Sequence, residues 1–419
     1  MNKQKKGLVP ELRFPEFKKE PSWPCVKLNA VAKRSTSKNK EEKITRVLTN
    51  SAVDGVVDQR DYFDKDIAVK GNLESYYIVD KGDYVYNPRI SSTAPVGPIS
   101  KNKIGKGLMS PLYTVFRFNS KNNDFFEQFF KSSRWYAYLQ TVSNSGARHD
   151  RMSIASSNFM AMPVPNPCEL EQQKIADCLT SIEELITLHT KKLEALKDHK
   201  KGLMQQLFPA EGEIVPKLRF SEFEGKGEWV KKSLEQVIEI ASGQVDPTKS
   251  PYCDMPHIGG ENIESDSGKI LNVSTAKDLN LISGKYVFDE SYILYSKIRP
   301  ALNKVARPNF KGICSADIYP IRPASDELLQ SFLSYILLSK EFLDHAKKHS
   351  DRGKIPKVNR EAVMAYIASL PAPDEQYRIA DFLCSIDELL ASQTRKVEAL
   401  RAHKNGLMQK LFPVMDEVV

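Results

Sequence analysis

The sequence predicts a duplicated α/β (α+β) protein: two mixed α/β modules joined by two long antiparallel coiled-coil helices, with pseudo-two-fold symmetry. Three observations carry this. Val9–Phe17 (VPELRFPEF) returns as Val215–Phe223 (VPKLRFSEF), and Glu171–Pro209 returns as Glu375–Pro413 with 24 of 39 residues identical. The stretches between, roughly 24–165 and 230–370, scarcely align, so a scaffold was kept while its two middles diverged. Finally, apolar residues in both copies of the 39-residue segment recur at alternating steps of three and four, as in a heptad seam.

At 419 residues the chain suits two domains rather than one core. The repeat divides it into an N-terminal arm (1–23), a first module (24–168), a central helix (169–209), a linker and repeat start (210–229), a second module (230–373) and a distal helix (374–419). No apolar run could span a membrane, and the basic N-terminus (MNKQKKGLVPELRF) has no apolar segment behind it. A cytoplasmic location is therefore expected. The six cysteines are scattered without a C-x-x-C pair, which suggests buried free thiols in a reducing compartment. The net charge of +8, from 61 Lys and Arg against 53 Asp and Glu, suits a polyanionic partner but does not require one.

The first seam is Ile175, Leu179, Ile182, Ile186, Leu193, Leu196, Leu203 and Leu207. The second is Ile379, Leu383, Ile386, Leu390, Val397, Leu400, Leu407 and Leu411. Polar residues interrupt both at matching places, His189 with Gln393 and Lys200 with Lys404, which predicts that the helices pair with each other. Pairing between two copies of the chain is the alternative. Prolines precede each helix and Leu-Phe-Pro ends it, because a residue before proline is pushed out of the helical region. About 38 residues at roughly 1.5 Å each give a rod of about 55 Å.

Within the modules, 83–87 (DYVYN), 113–118 (YTVFRF), 292–296 (YILYS) and 318–322 (IYPIR) read as strands, each module being completed by an amphipathic helix near 124–142 or 326–348. Gly107, Ser110 and Arg117 recur as Gly312, Ser315 and Arg322, so the whole fold was duplicated and the loops changed most.

Three groups could touch nucleic acid. Gly97–Gly107 (GPISKNKIGKG) carries Lys101, Lys103 and Lys106, and the matching region of the second half carries Lys297, Arg299, Lys304, Arg307 and Lys311. Lysines suit phosphate oxygens and arginines suit guanine O6 and N7; lysines also gather on strand connections simply for solvation. Tyr84, Tyr86, Asn87 and Arg89 resemble Tyr292, Tyr295, Ser296 and Arg299, a base-edge reader unless the tyrosines are core. Before each long helix lies a candidate phosphate clamp: Arg148, His149 and Arg151, or Arg352, Lys354 and Lys357.

Catalytic signatures are missing. There is no Walker loop and no glycine-rich dinucleotide fingerprint. Asn87-Pro88 is followed by Arg89, without the aromatic that an amino-methyltransferase stacks on an extruded base. His345 and His349 have metal-ligand spacing, but Ala-Lys-Lys lies between them, so no metal site is expected.

The chain closely resembles the specificity subunits of type I restriction-modification systems. The resemblance rests on Glu171-Gln172 with Ile175-Ala176 and Leu179, repeated as Glu375-Gln376 with Ile379-Ala380 and Leu383. It also rests on Gly202-Leu203-Met204-Gln205 with Leu207-Phe208-Pro209, on its copy at 406–413, on the Leu-Arg-Phe openings at 12 and 218, and on Ile293–Pro300 (ILYSKIRP). It implies two target recognition domains, each reading one half of a bipartite, asymmetric duplex DNA target across a spacer set by the helices. It further implies a non-catalytic role beside two methylation subunits, which use S-adenosylmethionine, and restriction subunits, which use ATP and magnesium. The alternatives are a coiled-coil assembly protein with two protein-binding modules, or the recognition part of a self-sufficient restriction enzyme.

Overall fold

Each diverged middle folds around an antiparallel four-stranded sheet, and the strand order is the same in both. In the first half the order is Ala32–Arg34, Thr114–Phe118, Tyr84–Tyr86, Ile99–Lys101; in the second it is Ile238–Ile240, Ile318–Pro323, Ile293–Ser296, Val305–Ala306. A computed structural model describes residues 7–40, 43–62, 73–143, 150–210, 212–351 and 353–415. The strands expected from alternating β-branched and aromatic residues are all present. A two-stranded ribbon also recurs, Cys25–Lys27 with Pro163–Pro165 and Val230–Ser233 with Ile367–Leu370. Gly107 and Gly312 each open a strand where a Cβ would lie 2.6 Å from an atom of a neighbouring strand, Leu48 Cγ in one case and Pro256 O in the other. Only glycine permits that approach.

The halves differ in their remaining strands. The second has a further four-stranded sheet, in which Pro256–Ile258 runs parallel to Gly312–Cys314. The first has two separate ribbons instead, Leu48–Ser51 with Gly55–Asp58 and Tyr77–Val79 with Gly107–Met109.

The amphipathic helices are each broken in two. Asp124–Lys131 and Tyr136–Val142 are separated at Ser132, whose hydroxyl donates to Phe129 O at 2.6 Å. Gln330–Leu338 and Lys340–Lys348 are separated at Ser339, which ends the first and caps the second by accepting from Phe342 N. A serine hydroxyl competes for backbone groups and so favours a helix boundary. Of the six cysteines only Cys314 is buried and Cys168 is exposed, so the expectation of uniformly buried thiols does not hold.

The two long helices are Glu169–Leu207 and Pro373–Leu411. The chain forms two compact units, one of Met1–Leu188 with Val397–Val419 and the other of His189–Lys396, so both helices are shared. The reason lies in the Leu-Phe-Pro ends. Leu207 and Phe208 enter the core that holds Trp229, Leu234 and Phe332, and Phe208 stacks on Phe332 with centroids 5.3 Å apart. Leu411 and Phe412 enter the core that holds Trp23, Phe125 and Phe129. Each core thus takes the start of one long helix and the end of the other.

Within each unit the helices pair antiparallel. In the second, Lys200 Nζ meets Asp387 Oδ1 at 2.5 Å, and Gln393 Nε2 donates to His189 O at 2.8 Å. In the first, Lys404 Nζ meets Glu183 Oε1 at 2.7 Å. Of the polar interruptions, His189 and Gln393 face each other, whereas Lys200 and Lys404 each face a carboxylate on the opposite helix. Seam residues Leu179, Leu383, Ile386 and Val397 are buried, while Ile182, Ile186, Leu193, Leu196, Leu203, Leu390, Leu400 and Leu407 are half-buried.

Glu183 is also bound by Lys131 Nζ at 2.8 Å. Burial alone would raise its carboxyl, but the ammonium groups of Lys131 and Lys404 prevail and hold it down at about 2, against an ordinary 4.5. The unfolded chain therefore takes up this proton first as pH falls. The stability it confers is intact above the ordinary value and drains away as pH drops from there towards the folded one. Urea midpoints measured down this range should fall more steeply for wild type than for Glu183→Gln.

The repeated Leu-Arg-Phe and Glu-Gln motifs prove to be two halves of one anchor. Arg13 grips the Glu171 carboxylate with Nε and Nη2, both at 2.7 Å, and Trp23 Nε1 donates to it at 3.0 Å. Arg219, Glu375 and Trp229 repeat this at 2.8, 2.8 and 3.3 Å. Gln172 and Gln376 donate to Pro167 O and Pro371 O, fixing the proline turns that enter the helices.

Candidate nucleic-acid interface

In each module the segment leaving the Tyr84–Tyr86 or Ile293–Ser296 strand is bridged to the segment preceding the last short helix. In the first, Met152 N donates to Pro88 O at 2.9 Å and Ile90 N to Asp150 O at 3.0 Å, setting Arg89 opposite Arg151. In the second, Val358 N donates to Lys297 O at 2.9 Å and Arg299 N to Pro356 O at 2.7 Å, setting Ile298 opposite Lys357. Two basic groups that lie some 60 residues apart in sequence thus share one edge in each module.

The electrostatics of the edges differ. Arg89 Nη2 and Arg151 Nε lie 3.9 and 3.6 Å from Asp150 Oδ2, a loose arrangement that leaves the Arg89 side chain 60% exposed. Lys297 lies over the Tyr319 ring at 5.2 Å, and Lys357 Nζ is 3.4 Å from Asp317 Oδ1. Arg299 and Lys354 are exposed, with no ion-pair partner among the described residues. Arg299 holds a left-handed backbone (φ 48°, ψ 60°), as does Asn303 (φ 45°, ψ 55°) at the other end of the Pro300–Leu302 turn. Asn303 ties that turn down through Asp266 Oδ1 at 2.9 Å and Leu338 O at 3.2 Å. Such backbone is unfavourable for a residue bearing a Cβ and persists only where its surroundings impose it.

Several sequence-based expectations change. Tyr86 and Tyr295 are core residues: Tyr86 stacks on Phe159 and donates its hydroxyl to Val96 O at 2.9 Å, and Tyr295 packs edge-on to Phe342. Burial pushes both phenols well above their ordinary value. Asn87 is also structural, donating to Asn50 O and accepting from Arg89 N. Strand register places Tyr84 level with Ile293, not Tyr292, and Arg89 level with Ile298, so Arg299 stands one residue further along.

The lysine-rich segment is not a free hairpin. Lys101 ends a strand, pairs with Asp124 at 2.6 Å and is largely buried. Lys103 meets Glu127 at 2.7 Å and Lys106 lies 3.9 Å from Asp80, both remaining exposed. In the second half, Lys304 Nζ donates to Gly260 O at 2.5 Å, the Arg307 guanidinium lies 3.9 Å from Cys384 Sγ, and Lys311 is exposed. Sequence reasoning could not see these partners, because carboxylates, a carbonyl and a thiol distant in sequence supply them. Arg148, His149 and Arg352 lie outside the described residues.

His345 Nε2 is 2.8 Å from Ala362 O and His349 Nδ1 is 2.9 Å from His345 O, so both are engaged with backbone. Burial pulls His345 below its ordinary value. Among the described residues, no cluster of three or more potential metal ligands occurs, and no helix is long and apolar enough to cross a membrane.

The type I restriction modification DNA specificity domain matches this chain twice, over residues 29–198 and 226–401, once per repeat. The chain belongs to that family. It is 31% identical over 208 residues to the EcoDI specificity subunit of Escherichia coli, an alignment spanning 49% of this chain and 45% of that one. The chain thus spans about half the length of that relative. With the MjaVIII specificity subunit of Methanocaldococcus jannaschii it shares 26% identity over 338 residues, covering 77% and 73% of the two chains. The specificity-family fold also appears in solved structures. The type I S subunit from M. genitalium superposes with a TM-score of 0.57 at 12% identity, covering 97% of this chain and 99% of that one. A chain from a structure of the assembly and conformational transition of a type I R-M system gives 0.57 at 16%, covering 94% and 98%.

Proposed function

We propose that this chain is the non-catalytic DNA-reading subunit of a type I restriction-modification complex. Residues 24–168 and 230–373 are its two target recognition domains, and each reads one half of a bipartite, asymmetric duplex target. The long helices set the unread spacer and dock two methylation subunits. Methyl transfer from S-adenosylmethionine, and ATP- and magnesium-dependent restriction, fall to partner subunits.

The observation that carries this reading is the basic edge found at the same place in both modules on a shared scaffold. Its composition differs: Arg89 and Arg151 in one, Lys297, Arg299, Lys354 and Lys357 in the other. Unlike edges on like scaffolds suit unlike half-sites. Lysines there would hold phosphates, and the exposed arginines are the candidates for base contact. Lys103, Lys106, Arg307 and Lys311 are exposed and remain as outer phosphate contacts, whereas Lys101 and Lys304 are half-buried and tied to Asp124 and Gly260 O. Methylome sequencing of a host expressing this chain with its methylation subunit tests the function; a two-part, non-palindromic adenine motif is expected, and its absence would overturn the reading.

Arg299→Ala should relax the second half-site at one position, by about 1–3 kcal/mol of discrimination, and leave the first unchanged. An unaltered motif in the same methylome assay would remove Arg299 from base reading.

A further inference from the structure

In each unit one carboxylate on a long helix is shared between the opposite long helix and the module itself. Asp387 receives Lys200 Nζ at 2.5 Å and the Tyr335 hydroxyl at 2.8 Å. Tyr335 lies in the Gln330–Leu338 helix of the second module, and its ring also lies 5.4 Å from the Lys200 ammonium. Glu183 receives Lys404 Nζ at 2.7 Å and Lys131 Nζ at 2.8 Å, Lys131 lying in the Asp124–Lys131 helix of the first module. Lys200 and Lys404 are repeat equivalents, as are Glu183 and Asp387. The module's donor differs, a tyrosine in one unit and a lysine in the other.

The Lys200 side chain is only 9% exposed. Burying an ammonium is expensive even beside a half-exposed carboxylate, and a well-packed apolar pair in their place often serves stability as well or better. Such groups do distinguish one helix register from its neighbours. A leucine seam alone tolerates a slip of one heptad, because every seventh residue is again apolar. With that slip Lys200 would face Ala380 or Thr394 instead of Asp387, leaving a buried ammonium without a carboxylate.

We propose that Asp387 and Glu183 are positioning residues for DNA reading. By binding the opposite helix and the module together, each fixes where its module stands along the rod, and thereby which spacer length is accepted. The inference rests on the DNA-reading function above. It assigns spacer selectivity to two half-buried carboxylates as well as to rod length.

The test is competition binding by the chain in complex with its methylation subunits. The probes are duplexes carrying both half-sites at the native spacing and at spacings one base pair longer and shorter. Lys200→Met with Asp387→Leu, which keeps the seam apolar and filled, should lower discrimination between spacings by about tenfold while leaving half-site preference intact. Tyr335→Phe removes only the module's hydroxyl contacts with the helix, at Asp387 Oδ2 and Cys384 Sγ, and keeps its packing, so a smaller loss in the same direction is expected even if the double variant does not fold. A purely structural role would weaken binding to all three duplexes equally, and an unchanged spacing ratio in Tyr335→Phe would overturn the proposal. Wild-type complex that binds none of the duplexes would instead overturn the DNA-reading function, and the role of Asp387 and Glu183 with it.

Discussion

Phe412→Ala is expected to destabilise the first unit by about 3–5 kcal/mol, the range for truncating a fully buried aromatic. Phe412 is completely buried, with ring centroids 5.5 Å from Phe125 and 5.8 Å from Phe129, and Met408, Leu411 and Met415 join the same core. The effect is non-local in sequence: a substitution near the end of the chain should loosen the module formed near its beginning. Hydrogen exchange resolved by segment would show it as faster exchange in the Thr114–Phe118 strand and the Asp124–Lys131 helix. Exchange in the Ile318–Pro323 strand of the second unit should stay near wild type. Phe208→Ala is the counterpart in the other unit, through the Phe332 stack.

Glu375→Ala should destabilise the second unit by about 3–5 kcal/mol, because removing one partner strands the rest of a buried pair. The Glu375 side chain is 2% exposed and Arg219 11%, and Trp229 Nε1 would lose its acceptor at the same time. The arm that carries Leu218-Arg219-Phe220 would lose the contact that holds it against the helix start. Limited proteolysis around 212–228 and the denaturation midpoint both report on this. Glu375→Gln keeps an acceptor for Trp229 but no charge for Arg219, so its effect should be smaller. Equal effects from the two substitutions would argue against an ionic anchor.

The parts of this molecule legible in the sequence are those whose signals are local or periodic. Leu179, Ile182 and Leu193 are recognisable as seam residues because helix geometry repeats every few residues, and the strand at Thr114–Phe118 because alternation does. Repeat matching then identified His189 with Gln393 and Lys200 with Lys404 as polar interruptions. Their partners were less accessible. Lys200 faces Asp387 rather than its own repeat equivalent, since antiparallel helices bring opposite ends together.

The candidate site was legible only in composition. Arg89 and Arg151, or Arg299 and Lys357, were recognised as separate basic groups. Lys101 looked equivalent to Lys103, yet one is sealed against Asp124 and the other is exposed. Tyr86 and Arg89, three residues apart, have opposite fates, because the strand runs into the core and its continuation turns out of it.

By itself, then, the sequence determined the duplication, the two long helices, their mutual pairing and the strands of each module, because each is written in spacings along the chain. Tertiary structure alone decided that each core is completed by the far end of the other helix. It also decided that the Leu-Arg-Phe arginine anchors to the helix-start glutamate, and which basic side chains stay free of intramolecular partners. Those outcomes depend on which distant carboxylates, carbonyls and rings arrive within a few ångströms, and ion pairing and close packing are set by that proximity, whatever the separation in sequence.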